Sequence, residues 1–229
     1  MWKRILLLSV LFLPILIYIY FALGVPKSFR APFFGPRHPI QVTDKNGNPK
    51  TDTAYYTIPD FRFQSLGNPS FTNSGLEGNL YVAIFAHPDT VRKNFAIFAE
   101  DLKLNRSSYN YGRFVFFCPG DSAGNPVAGT PDYAKELGFG ADTAFTVYVP
   151  SGEFNKLHDT YFPPDARREK DKNRTWHDAV LVDRKGRIRG YYNIWSAADL
   201  KTMKEDVRFI KFRDEASETL ENSKVEQKK

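Results

Sequence analysis

Short runs of nearly continuous apolar residues, alternating with stretches of helical periodicity, organise the middle of this chain. Residues 80–86 (LYVAIFA), 113–118 (RFVFFC), 143–149 (TAFTVYV) and 179–182 (AVLV) are each too short for a helix core. Their apolar continuity predicts strands buried on both faces. Between the first two, Val91, Phe95, Phe98, Ala99 and Leu102 recur at helical spacing. That spacing predicts an amphipathic helix over 89–104, with Pro88 suited to its first turn. Residues 131–137 read as a short helix stopped by Gly138 and Gly140. Residues 183–186 (DRKG) form a tight turn with glycine where φ > 0 is useful, so 188–193 returns as a hairpin partner. Ser196 then caps a last helix, with Asp199 as its acidic first-turn partner and Leu200, Met203, Val207 and Ile210 as its buried stripe. Strands alternating with helices, closed by a hairpin, predict an α/β fold: one mixed sheet with flanking helices.

The flanks behave differently. Residues 1–4 (MWKR) are basic, and residues 5–23 carry no charge. About 20 apolar residues cross a bilayer core as a helix, so residues 1–24 are expected to form a single N-terminal membrane anchor. A cleaved signal peptide is the rival reading, ending near Ala22-Leu23-Gly24. Residues 25–54 hold five prolines and read as a linker, residues 55–212 as the folded domain, and residues 213–229 as a polar, frayed tail. Within the domain, residues 55–64 alternate partly, and residues 151–175 read as irregular.

Composition narrows the function. The net charge of +6 comes from 32 Lys and Arg against 26 Asp and Glu, dispersed along the chain, so nucleic acid is not the expected partner. The one cysteine, Cys118, removes a disulfide framework, a Cys-rich zinc site and any dithiol enzyme. Cys118 ends a predicted buried strand and reads as structural. No serine–histidine–acid order, phosphate loop or paired-carboxylate motif stands out. The GFGAD stretch at 138–142 follows a helix instead of a strand, which excludes a dinucleotide fingerprint.

Three stretches carry a resemblance. Residues 177–193 (HDAVLVDRKGRIRGYYN), residues 80–91 (LYVAIFAHPDTV) and residues 59–78 (PDFRFQSLGNPSFTNSGLEG) resemble the SCO/SenC family of membrane-anchored, thioredoxin-like proteins. That family is tied to copper delivery and thiol reduction at cytochrome oxidase. The resemblance covers about residues 55–212 and implies a thioredoxin-like fold. It also implies a domain on the extracytoplasmic, periplasmic side of the membrane, and a protein partner in respiratory-complex assembly.

The departure falls at the chemistry. The family's loop after the first buried strand holds two cysteines, which with a distant histidine suit Cu(I) and can cycle as a dithiol. Here the loop reads His87-Pro88-Asp89-Thr90-Val91. Val91 stands at the second cysteine position, and the first is deleted or replaced by His87. His177 matches the family's histidine. The resulting expectation is a domain without the thiol site, no bound cofactor, and action by binding as an accessory factor. The alternative is a copper carrier using His87 and His177, helped by Asp89 or Asp178. Three other groups read as ordinary surface or loop: His38 in the linker, His158-Asp159 near Glu153 and Asp165, and the mixed-charge run 165–174. Arg184, Lys185, Arg187 and Arg189 give the closing hairpin a basic outer side, solvated or facing anionic headgroups.

Overall fold

The structure is a computed structural model and describes residues 32–43, 47–65, 68–86, 88–110, 112–163 and 177–226. The apolar run 5–23 lies outside these residues. No helix among the described residues is long and apolar enough to cross a membrane.

Strands β1 (Arg37–Thr43) and β2 (Pro49–Tyr55) pair antiparallel as a ribbon of their own, with Ile40 opposite Asp52. The main sheet contains β3 (Arg62–Ser65), β4 (Asn68–Thr72), β5 (Tyr81–Phe85), β6 (Arg113–Pro119), β7 (Ala144–Val149), β8 (Ala179–Val182) and β9 (Ile188–Tyr192). Their spatial order is β4-β3-β7-β6-β5-β8-β9. β5 lies parallel to β6, with Val82 opposite Phe114, and antiparallel to β8, with Ala83 opposite Val180. All five β5 residues are therefore buried. That placement is why the segment reads as an unbroken apolar run: a central strand has no solvent-facing side.

Helices cover both faces. Phe98 and Leu102 of α1 (Pro88–Leu104) are buried on one side, where Phe98 meets Phe116 of β6 at a centroid distance of 6.5 Å. The short α2 (Tyr133–Glu136) places Tyr133 4.4 Å from Phe95 on the same side. The other side holds α3 (Phe154–Lys156) and the π-turn Leu157–Tyr161. There Phe154, Leu157 and Phe162 join Phe61, Phe85 and Phe117 in one core cluster. The last helix, α4 (Ala197–Glu226), starts as expected: the Asp199 N–H donates to the Ser196 hydroxyl at 3.3 Å. The Asp199 carboxylate in turn accepts from the Asn193 N–H at 3.0 Å.

Several elements differ from the sequence reading. Residues 37–43 and 49–55 form a ribbon in the segment read as linker, because both strands of a two-stranded sheet are edges and edges tolerate proline. Pro32–Phe34 also packs on the domain, ahead of the expected start at residue 55: the Phe34 N–H donates to the Ile188 carbonyl at 3.0 Å. The segment 154–161 is helical where irregular chain was expected. The tail is helical to Glu226, because its Glu, Ala, Leu and Lys residues favour helix.

The basic hairpin is the largest correction. Arg189 is buried and Arg187 half-buried. Both bond the buried Asp183, so neither projects freely to solvent or headgroups. Gly190 explains part of this strand's local sequence. A Cβ there would lie 2.1 Å from the Tyr192 hydroxyl, which now bonds Asp206 at 2.7 Å. Gly190→Ala is expected to cost about 1–3 kcal/mol through this overpacking. Equilibrium unfolding checks it. The ring carbons Cζ and Cε2 of Tyr192 would also lie within 2.8 Å of that Cβ, so the loss should shrink in a Tyr192→Ala background. A loss that persists undiminished there would place the strain elsewhere.

Candidate functional site

In parallel sheets, ligands gather beyond the carboxyl ends of the strands. Here β5, β6 and β7 run parallel, and the residues just before the antiparallel β8 reach the same end. The Phe85 N–H donates to the Asp178 carbonyl at 2.7 Å, and the Ala86 N–H to the Phe117 carbonyl at 2.8 Å. Phe85 and Ala86, the last described residues before His87, are thus held to the segment carrying His177 and to β6 respectively. His87 itself lies outside the described residues, as does the placement of the Asp89 and Val91 side chains.

His177 is buried, its ring tilted on Tyr191 with centroids 4.9 Å apart. Asp178 is 3% exposed. The Ile194 N–H donates to its carboxylate, while Oδ2 has no hydrogen-bond partner among the described residues. Burial pushes the Asp178 carboxyl up to about 6, against the pull of that one backbone bond. Trp195, next to Ile194, is 44% exposed and marks the rim of this end.

The structure also brings in a residue that the sequence reading left in a loop. His158, on the π-turn, is buried with its ring edge-on to Phe85 at 4.9 Å. Its Nε2 lies 3.3 Å from the His177 carbonyl, and its Nδ1 2.7 Å from an Asp159 carboxylate oxygen. Both partners only accept, so both bonds together require the doubly protonated ring. Burial opposes that charge and lowers the His158 pKa, while Asp159 and the carbonyl raise it. The signal was present in the sequence: Phe154, Leu157 and Phe162 surround His158 at near-helical spacing. Asp165, once grouped with it, lies outside the described residues.

Cys118 is fully buried, with Sγ 3.8 Å from the Phe116 carbonyl. It sits opposite Tyr148 in the β6–β7 register. Burial, and secondarily Asp132, push its thiol well above the ordinary range, so the reactive thiolate is suppressed. Among the described residues no three His, Cys, Asp or Glu side chains converge to hold a metal. The donor set does not fit a thiolate copper centre: the sole thiol lies inside a strand, and the loop after β5 carries none.

This architecture defines a thioredoxin-like α/β domain. Its structural neighbours include SCO/SenC-family thioredoxin-like proteins at low identity. BsSco, a member of the Sco family of cytochrome c oxidase assembly proteins described for a disulfide switch, aligns at 16% identity and a TM-score of 0.50, covering 69% of this chain and 94% of its own. A SCO1/SenC family lipoprotein from Bacillus anthracis str. Ames aligns at 18% identity and a TM-score of 0.48, covering 68% and 95%. Bradyrhizobium japonicum ScoI with copper bound aligns at 14% and 0.42, covering 68% and 99%. No family model and no curated protein matches the sequence significantly. With one cysteine, the chain lacks the two-cysteine motif and any catalytic dithiol.

Proposed function

We propose that this chain is a single-pass membrane protein whose SCO-like domain faces the extracytoplasmic side and acts by binding, as an accessory factor in assembling a respiratory oxidase. The placement of Cys118 carries the reading: the one thiol is buried in β6, so the fold is kept without a catalytic dithiol. The uncharged run 5–23 supports the anchor. The likeness to BsSco, a member of a cytochrome c oxidase assembly family, supports the choice of partner.

The test is restoration of oxidase activity in membranes of cells lacking the chain. Full-length protein carrying Cys118→Ala is expected to restore activity to the unmodified chain's level, since no step uses the thiol. A folded Cys118→Ala chain that restores nothing would defeat the binding reading and favour chemistry at the single thiol. A folded His177→Ala chain that fails only until copper is added would favour the histidine metal carrier.

A further inference from the structure

A cleft lies at the opposite end of the sheet from His177. The chain leaves α1, makes the 3₁₀ turn Arg106–Tyr109, and enters β6 at its amino end. That turn faces the first turns of α4 across an open cleft of about 420 Å³. Lys201, Lys204 and Arg208 line it from α4, and Asn105, Ser107 and Ser108 from the turn. Positions separated by three, four and seven residues share one helix face, so the three cations point the same way.

The cations are not equivalent. Lys204 bonds both oxygens of Asp101, at 2.7 and 2.8 Å, and the Asn105 amide also donates to Asp101 at 3.0 Å. This pair cancels its own charge and fixes one wall, leaving Lys204 one further N–H. Among the described residues neither Lys201 nor Arg208 has a carboxylate within ion-pairing distance. The Arg208 guanidinium lies 5.7 Å over the Phe212 ring, which leaves its N–H edge available. Glu205 lines the cleft too, so the unpaired groups balance as two cations against one carboxylate. Two cations and two hydroxyl donors match a tetrahedral oxyanion with several acceptor oxygens, while the Asn105 amide, which donates to the Asp101 carbonyl and carboxylate, only shapes the wall.

We propose that this cleft binds a phosphate group, either free or as the headgroup of a phospholipid. The assignment rests on the charge and donor pattern alone and is independent of the oxidase reading.

The test follows the Ser107 and Ser108 amide resonances of the full chain during titration with inorganic phosphate and, separately, glycerol 1-phosphate. Saturable shifts at millimolar concentration are expected. Lys201→Ala with Arg208→Ala should weaken binding about tenfold or more, the scale of a lost charged hydrogen bond. Glu205→Gln should tighten it severalfold, and Lys185→Ala, on the hairpin turn outside the cleft lining, should change nothing. Tighter binding of glycerol 1-phosphate assigns a lipid headgroup, and equal or tighter binding of inorganic phosphate assigns the free anion. Shifts that never saturate, or binding that the double variant leaves intact while folded, would overturn the proposal. An opposite pair of effects from Arg208→Ala and Glu205→Gln cannot come from misfolding, which weakens binding in both.

Discussion

Asp183→Ala is expected to destabilise the full chain by about 3–5 kcal/mol, the cost of leaving a buried charge without its partner. Asp183 is 2% exposed and Arg189 4% exposed. One Asp183 oxygen accepts from the Lys185 and Arg187 N–H groups, at 3.0 and 3.1 Å. The other accepts from Arg187 Nε and a terminal nitrogen, at 2.9 and 2.7 Å, and from Arg189 at 3.0 Å. Removing the carboxylate takes its Asp183 partner from Arg189, which also donates to the Pro32 carbonyl at 3.1 Å and whose guanidinium lies 4.1 Å over Phe33. Equilibrium unfolding in urea measures the loss. Asp183→Leu combined with Arg189→Met should recover much of it, because a well-packed apolar pair needs no compensation. A single-variant loss under about 1 kcal/mol would show that water reaches the pair.

The pH dependence has a definite sign. Burial pushes the Asp183 carboxyl up, but its bonds to Arg187 and Arg189 outweigh this and hold it below the usual range. Its contribution is therefore present above the ordinary carboxylate pKa of about 3.9 and disappears as pH falls through the lower, folded value.

Asp178 works in the opposite direction, and Asp178→Asn exposes it. Its folded pKa of about 6 lies above the unfolded value, so the folded state holds this proton to higher pH. Its contribution is present below about pH 4 and is lost as pH rises to about 6, amounting to roughly 3 kcal/mol in all. The stability of the parent chain minus that of Asp178→Asn should fall by about that amount from pH 4 to pH 7 and stay level above. Unfolding curves at unit pH steps check it. A difference that does not change with pH would mean that the Asp178 carboxylate is satisfied in its charged form.

These two carboxylates lie five residues apart in a segment whose outline is plain in the sequence. The apolar run 179–182, the DRKG turn and the return strand predict the β8–β9 hairpin, and the structure has it: β8 pairs β9 with Ala179 opposite Tyr192. What each charged residue does there was not legible. Arg189 reads as a surface base beside Arg187, yet it is buried, because Pro32 and Phe33 fold back over it from more than 150 residues away in the chain. His158 reads as a chance loop histidine, yet it touches the His177 carbonyl, because the π-turn packs on Phe85.

The division has a physical basis. Strand and helix periodicity, turn glycines and caps depend on neighbours within a few residues, so the alternating β5-α1-β6-α2-β7 order, the closing hairpin and the Ser196 cap could be written from the sequence alone. The missing dithiol is equally a property of sequence, since a chain with one cysteine has none wherever that cysteine lies. Burial of a charge, by contrast, depends on contacts between distant segments. Only the tertiary structure could decide that Asp183 and Arg189 pair inside the domain, that Asp178 is desolvated beside His177, and that Lys201 and Arg208 face a serine-lined cleft. Local pattern sets which elements form; the free energy of a polar group is set by whatever the folded chain packs against it.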